Sequence, residues 1–169
     1  MVDILKPSSG RKKDPFKWVI SGVNGVGKTT LCTQMPKPLF IDLEGGTGYL
    51  DVNRLEAKTY ADVLDIFNQI KEKDHQYKTV VLDSLDWFET IMEESIVAEA
   101  AQKKMGIEDI ADIPNFRGYS LSQSKMKSFL NLCSEVVDTG VNIALICHTA
   151  PKEITSDPLI PAHQKWVLK

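Results

Sequence analysis

Residues 16–30 read Phe-Lys-Trp-Val-Ile-Ser-Gly-Val-Asn-Gly-Val-Gly-Lys-Thr-Thr, and this stretch decides the fold. Its first six residues form the apolar run of a buried strand. The next eight, Gly22-Val23-Asn24-Gly25-Val26-Gly27-Lys28-Thr29, match GxxxxGK[ST] at every fixed position. Glycines let the backbone wrap closely around phosphate oxygens and point its N–H groups inward. A helix starting near Lys28 adds the positive end of its dipole. Lys28 can reach the β- and γ-phosphates, and the Thr29 hydroxyl can ligate Mg²⁺. Gly22, Val23, Asn24, Gly25, Val26, Gly27, Lys28, Thr29 and Thr30 are therefore expected to bind a nucleotide, ATP or ADP, with Mg²⁺. The bland alternative is a structural glycine turn. The strand before the loop and the helix after it favour the nucleotide.

Working outward, the loop runs into a short helix over 29–35, stopped near Pro36 and Pro38. LFID (39–42) is a second buried strand, broken by Gly45, Gly46 and Gly48. Residues 54–57 suggest a short edge strand. Thr59 reads as a helix N-cap with Asp62 completing a capping box. Tyr60, Val63, Leu64, Phe67 and Ile70 then recur at helical spacing, which predicts a helix over 60–73. TVVLD (79–83) is a third buried strand. A helix is expected over 87–104 with Trp87, Phe88, Ile91 and Met92 inward, then an irregular segment over 106–118. A further helix spans 121–139 and stops at Gly140. VNIALIC (141–147) is a fourth strand, and 166–168 starts another. Short apolar strands alternating with helices mean a three-layer α/β fold with a mainly parallel sheet. Ligands of such sheets bind beyond the carboxyl ends of the strands. The phosphate loop, Asp42 with Glu44, Asp83 and His148 all follow strand ends.

The 169 residues suit one domain, and 43% hydrophobic with 25% charged residues exclude disorder as the main state. No apolar run approaches a membrane span, so no membrane partner is expected. Three cysteines, Cys32, Cys133 and Cys147, form no CxxC pair, which argues against a disulfide framework and a zinc site and points to a reducing cytoplasm. The net charge of −3 is not the footprint of a protein that grips nucleic acid over its whole surface. The N-terminal region is nevertheless basic, with Lys6, Arg11, Lys12, Lys13 and Lys17. Residues 1–15 read as a flexible arm, either a solvated tail or a contact to a phosphate backbone, and 16–169 as the domain.

Three polar residues carry further chemistry. Asp83 closes TVVLD, the position of a carboxylate that holds Mg²⁺ through water. Its alternative role is to cap the next helix, a task that Ser84 or Asp86 can also perform. Glu44, two residues past LFID, can orient the water that attacks the γ-phosphate, or it is an exposed loop glutamate. His148 follows VNIALIC and can sense the γ-phosphate, or it is a satisfied histidine near the surface. Lys152 reads as solvated, and His75 and His163 show no ligand spacing.

GVNGVGKTT, LFIDLEGG, TVVLDS and ALICHT, in that order, resemble the RecA-like P-loop ATPase core. More closely they resemble the small phage P-loop nucleotide-binding proteins, the group that includes RecA-like single-strand annealing proteins. The resemblance runs from about Phe16 onward. It implies Glu44 as catalytic base and His148 as sensor, although relatives often carry glutamine or asparagine at the sensor position. It implies a homo-oligomer, ring or filament, and single-stranded DNA as a partner. The segment 149–164, TAPKEITSDPLIPAHQ, has one lysine, no aromatic residue and three prolines, a poor groove for a single strand. Gly118, Tyr119, Lys125 and Lys127 offer a second contact. The resemblance also implies at least one more strand after the sensor strand, so the chain reads as a minimal version or as shortened at its C-terminus.

The sequence thus points to a Mg²⁺-dependent ATPase of phage DNA recombination or replication, with Lys28, Glu44 and His148 catalytic and Thr29 and Asp83 at the metal. The alternatives are a nucleotide-dependent switch acting through a protein partner, and a small-molecule kinase. With only Arg11, Arg54 and Arg117, the chain lacks an arginine-rich lid for the latter. No NKxD-like guanine signature follows a strand, which favours ATP over GTP without fixing it.

Overall fold

The computed structural model describes residues 10, 14–103, 106–154 and 163–168. Five parallel strands form the sheet: β1 (Lys17–Gly22), β2 (Pro38–Asp42), β3 (Asn53–Glu56), β4 (Thr79–Asp83) and β5 (Asn142–Ile154), in the order β1-β5-β4-β2-β3. A sixth strand, β6 (His163–Leu168), runs antiparallel to the far end of β5. The helices are α1 (Lys28–Thr33), α2 (Tyr60–Glu72), α3 (Leu85–Ala101) and α4 (Arg117–Asp138).

Both faces of the sheet are covered at its central strands, which is why β2, β4 and the first half of β5 read as continuous apolar runs. Strand β1, expected to be buried, is instead an edge strand with Trp18 and Val19 about half exposed. Successive side chains alternate between faces. Leu39, Ile41, Val80, Leu82, Ile143 and Leu145 pack against α2, α3 and α4 through Val63, Phe67, Phe88, Met92, Phe129 and Cys133. Phe40, Val81, Ala144 and Ile146 pack on the other face against Cys32 of α1. The result is the expected three-layer α/β architecture. Phe129 anchors the larger core, with ring centroids 5.0 Å from Phe67 and 4.1 Å from Phe88.

The capping box of α2 forms as the sequence predicts. The Thr59 side chain accepts from Asp62 N, and the Asp62 carboxylate accepts from Thr59 N. Other boundaries differ. Helix α4 starts four residues earlier than expected, and the segment before it holds two 3-10 turns, Ile110–Asp112 and Pro114–Phe116. Trp87 is 47% exposed rather than inward. The inward positions of α3 are Phe88, Met92 and Ile96, spaced by four residues. A neighbour of Phe88 is rotated by about 100° around the axis and leaves the core face. Strand β5 continues past Cys147 because its second half pairs with β6, Thr149 opposite Leu168 through Ile154 opposite His163. Lys6, Arg11, Lys12 and Lys13 lie outside the described residues, as does 155–162 of the segment weighed for DNA contact. Lys17 belongs to β1, where its ammonium donates to Leu130 O and Ser134 Oγ. Among the described residues, no helix is long and apolar enough to cross a membrane.

Candidate active site

Strand register assembles the site. Gly22 pairs with His148, and Asp83 pairs with Asp42 on one side and Ile146 on the other. The carboxyl ends of β1, β4 and β2 therefore present Gly22, Asp83 and Asp42, with His148 midway along β5, opposite Gly22 and two residues past the partner of Asp83. The loop after β1 adds Asn24 through Thr29, and the loop after β2 adds Glu44.

The phosphate loop has the backbone that its glycines predict. Gly25 and Gly27 have φ of 75° and 94°, a left-handed conformation that residues with a Cβ rarely adopt. Gly27 is the N-cap of α1 and supplies no side-chain cap. Lys28 folds back over the loop, 7% exposed, and its Nζ donates to Gly22 O at 3.0 Å and Val23 O at 3.1 Å. Thr29 Oγ1 donates to Asp83 Oδ2 at 2.7 Å. This bond joins the two residues that the sequence places at the metal. The Asp83 carboxylate faces the phosphate loop and does not cap α3.

Asp83 is 8% exposed. Burial pushes its carboxyl above the usual range, and the negative charges of Glu44 and Asp42 push the same way, against the Thr29 hydrogen bond and His148. Thr29 and His148 offset only part of that push. A hydroxyl, a buried carboxylate and an open phosphate loop match how Mg²⁺ is held, by one or two protein oxygens together with water and phosphate oxygens. The residues present therefore fit Mg²⁺, which Thr29 and Asp83 would hold from the protein side.

Asp42 has a different task. Its Oδ1 accepts from the backbone N–H of Glu44, Gly45 and Gly46 at 3.1, 2.7 and 3.2 Å. Its Oδ2 accepts from Thr47 N at 2.9 Å and from the Thr47 hydroxyl. Burial opposes the charge, but the bonds from Thr47, Gly45 and Glu44 hold the carboxyl below its ordinary value. The loop that carries Glu44 is thus wrapped around Asp42. The carboxylate of Glu44 accepts a hydrogen bond from the Ser84 hydroxyl and lies 3.9 Å from His148 Nδ1. Ser84 follows Asp83 through a cis peptide bond and makes no side-chain cap bond to α3. Asp86, in the first turn of α3, accepts from both His148 N at 2.8 Å and His148 Nδ1 at 2.7 Å. Asn24, Glu44, Asp86 and His148 line a cavity of about 520 Å³, closed on the α3 side by Trp87, Glu89, Thr90 and Glu93.

With this geometry in place, the comparison with known families is direct: residues 14–167 match the model of the AAA domain. The chain belongs to the AAA domain family. As an AAA domain it is a nucleotide-binding, ATPase-type P-loop fold. No curated protein matches it.

Most of the expected site residues of this AAA domain come together. The phosphate loop, Asp83, Glu44 and His148 sit at one end of the sheet. Lys152 lies farther along β5, opposite Lys165. His75 is remote, with Nε2 3.0 Å from Ile70 O. Of the second expected DNA contact, Tyr119 and Lys127 are exposed and the other two residues are used internally. Gly118 is buried against Ile110, and the Lys125 ammonium bonds Glu99 and Ser95 and lies 4.8 Å from the Tyr60 ring centroid. The sequence reading missed the part played by Asp86, weighed only as a helix cap, and by Thr47. The spacing D-L-E-G-G-T was a local signal for Thr47. Asp86 and His148 are 62 residues apart and gave none.

Proposed function

We propose that this AAA domain is a Mg²⁺-dependent ATPase. The Thr29–Asp83 hydrogen bond carries the reading, because it brings the metal-binding hydroxyl and carboxylate together beside the phosphate loop. Gly22 through Thr30 hold the phosphates of ATP or ADP, and Lys28 neutralises their charge. Mg²⁺, held by Thr29 and Asp83, offsets the charge developing on the phosphoryl group. Glu44 orients the attacking water and accepts its proton, and His148 faces the γ-phosphate. Support for these roles is positional: both residues line the cavity that also receives Asn24 of the loop.

The biological setting proposed is DNA recombination or replication of the phage type, with single-stranded DNA as partner and a ring or filament of identical subunits. The support is the order of the four motifs that resemble the phage single-strand annealing group. A cytoplasmic setting agrees with the free, buried state of Cys32, Cys133 and Cys147. A nucleotide switch acting through a protein partner is the second reading. It is favoured by the internal use of Gly118 and Lys125, which leaves the proposed DNA contacts weaker.

Measurement of ATP hydrolysis with and without Mg²⁺, for the wild type and Glu44→Gln, tests the enzyme reading. The expected result is Mg²⁺-dependent turnover, reduced at least 100-fold in Glu44→Gln with ATP affinity retained. Unchanged turnover in Glu44→Gln overturns the assignment of Glu44. ATP-dependent, salt-sensitive binding of a labelled single strand supports the DNA reading, and its absence favours the switch.

A further inference from the structure

We propose that Asp86 is a positioning residue of this site, clamping His148 so that ring atom Nε2 is the one offered to the nucleotide cavity. The inference rests on the ATPase reading above and deepens it.

The clamp is a two-point attachment. One carboxylate oxygen, Asp86 Oδ2, receives both the backbone N–H of His148 at 2.8 Å and ring Nδ1 at 2.7 Å. The first bond ties the main chain of β5, at its last residue paired with β1, to the first turn of α3. The second fixes the ring plane. An ionised carboxylate only accepts, so the shared proton is carried by Nδ1. The partner of one imidazole nitrogen decides the chemistry of the other. With Nδ1–H committed to Asp86, Nε2 is turned away from that carboxylate, and the ring lines the cavity with Asn24 and Glu44.

Glu44 is close enough to compete for the ring, with Oε1 3.9 Å from Nδ1, but it is bonded to the Ser84 hydroxyl instead. Asp86 therefore keeps His148 from pairing with Glu44 and leaves Glu44 available to a water. The same short segment, Asp83 to Asp86, thus places three groups: a carboxylate toward Thr29, a hydroxyl toward Glu44 and a second carboxylate on His148. Any movement of the end of β4 relative to β5 is passed to His148 through this clamp.

Two readouts test it. Long-range ¹H–¹⁵N spectra report which imidazole nitrogen is protonated. The chain has three histidines, and His75→Gln and His163→Gln variants assign the His148 signals. The wild type is expected to show His148 as the Nδ1–H form, and Asp86→Ala to shift it toward Nε2–H. In kinetics, Asp86→Ala is expected to lower kcat at least tenfold with KM for MgATP within about twofold. In a His148→Ala background the same change is expected to alter kcat less than twofold, since a residue acting through another loses its effect when that residue is gone. Where Asp86→Ala does not fold, Asp86→Leu keeps the bulk, removes both acceptor oxygens and must show the same non-additivity. Equal losses in both backgrounds, or an unchanged ring spectrum in Asp86→Ala, overturn the proposal. A wild type without turnover refutes the ATPase reading and the kinetic consequence together. The ring spectrum distinguishes that result from failure of the clamp itself.

Discussion

Replacing Asp42 by alanine probes how the loop that carries Glu44 is built. Its carboxylate receives four backbone N–H groups and one hydroxyl, and it is 4% exposed. The donors on exposed residues 44–46 can turn to water once the carboxylate is gone, so their loss is modest. Thr47 is fully buried, and its N–H and hydroxyl both lose their partner. A buried donor left unmade costs about 1–3 kcal/mol. Two such groups set an expected destabilisation of about 3–5 kcal/mol for Asp42→Ala. Asp42→Asn retains one acceptor oxygen and is expected to cost about half as much. With a urea slope of about 2 kcal/mol per molar, Asp42→Ala moves the unfolding midpoint down by roughly 2 M. The pH dependence follows from the lowered folded value. The stabilisation is complete above the ordinary aspartate value of about 3.9 and is lost as pH falls below it through the folded value. The difference between wild type and Asp42→Asn should therefore shrink on acidification below pH 4. Urea titrations at pH 7 and pH 3 measure both effects. An Asp42→Ala protein within 0.5 kcal/mol of wild type at pH 7, by the order of magnitude of an ordinary surface change, refutes the reasoning.

Other expectations follow from single observations. Asp83→Asn removes a buried charge facing like charges, so the nucleotide-free protein should gain about 1–2 kcal/mol while Mg²⁺-dependent hydrolysis disappears. Thermal unfolding of the nucleotide-free protein and a phosphate-release assay read the two effects, and a loss of apo stability would contradict the first. Gly118→Ala puts a methyl 2.3 Å from Ile110 O and 2.8 Å from its side chain, so the backbone must move, at about 3 kcal/mol and a Tm lowered by about 6–12 °C. Gly46→Ala meets nothing within 4 Å and should be near neutral by the same assay. Burial pushes the thiols of Cys32 and Cys133 up to about 12 and that of Cys147 up to about 11. At pH 8 the native protein should resist iodoacetamide, with three alkylations per chain appearing by mass only in urea.

What was legible in the sequence was local. The phosphate loop is a contiguous pattern whose glycines have to adopt their observed backbone. The central strands β2 and β4 read as apolar runs because both sheet faces are covered there. The α2 capping box needs only Thr59 and Asp62. What was not legible depends on distant pairing. The second half of β5 is polar enough to read as a loop, and only β6 makes it a strand. Trp87 and Phe88 are equally apolar, and only the core contacts of Phe88, Met92 and Ile96 decide which of the two turns inward. Gly118 lacks a side chain because α4 passes against Ile110, a contact that no periodicity announces.

Four carboxylates crowd the end of this sheet, and residue type alone does not separate their uses. Their partners do. Asp42 accepts backbone N–H groups, and Asp86 accepts a backbone N–H and a ring nitrogen. Breaking either set requires the chain itself to move. Asp83 and Glu44 instead accept from the hydroxyls of Thr29 and Ser84. A hydroxyl rotates about one bond, has lone pairs of its own, and gives up its donor bond without disturbing the backbone. Only these two carboxylates can exchange partners during a reaction cycle at little cost to the fold. That distinction agrees with the proposed roles, a cation at Asp83 and a water at Glu44, and it leaves Asp42 and Asp86 to hold the groups that meet them. It also predicts how substitution effects divide. Asn at 42 should register mainly in unfolding, Gln at 44 in kcat, and Asn at 83 in both with opposite sign, stability rising as turnover is lost.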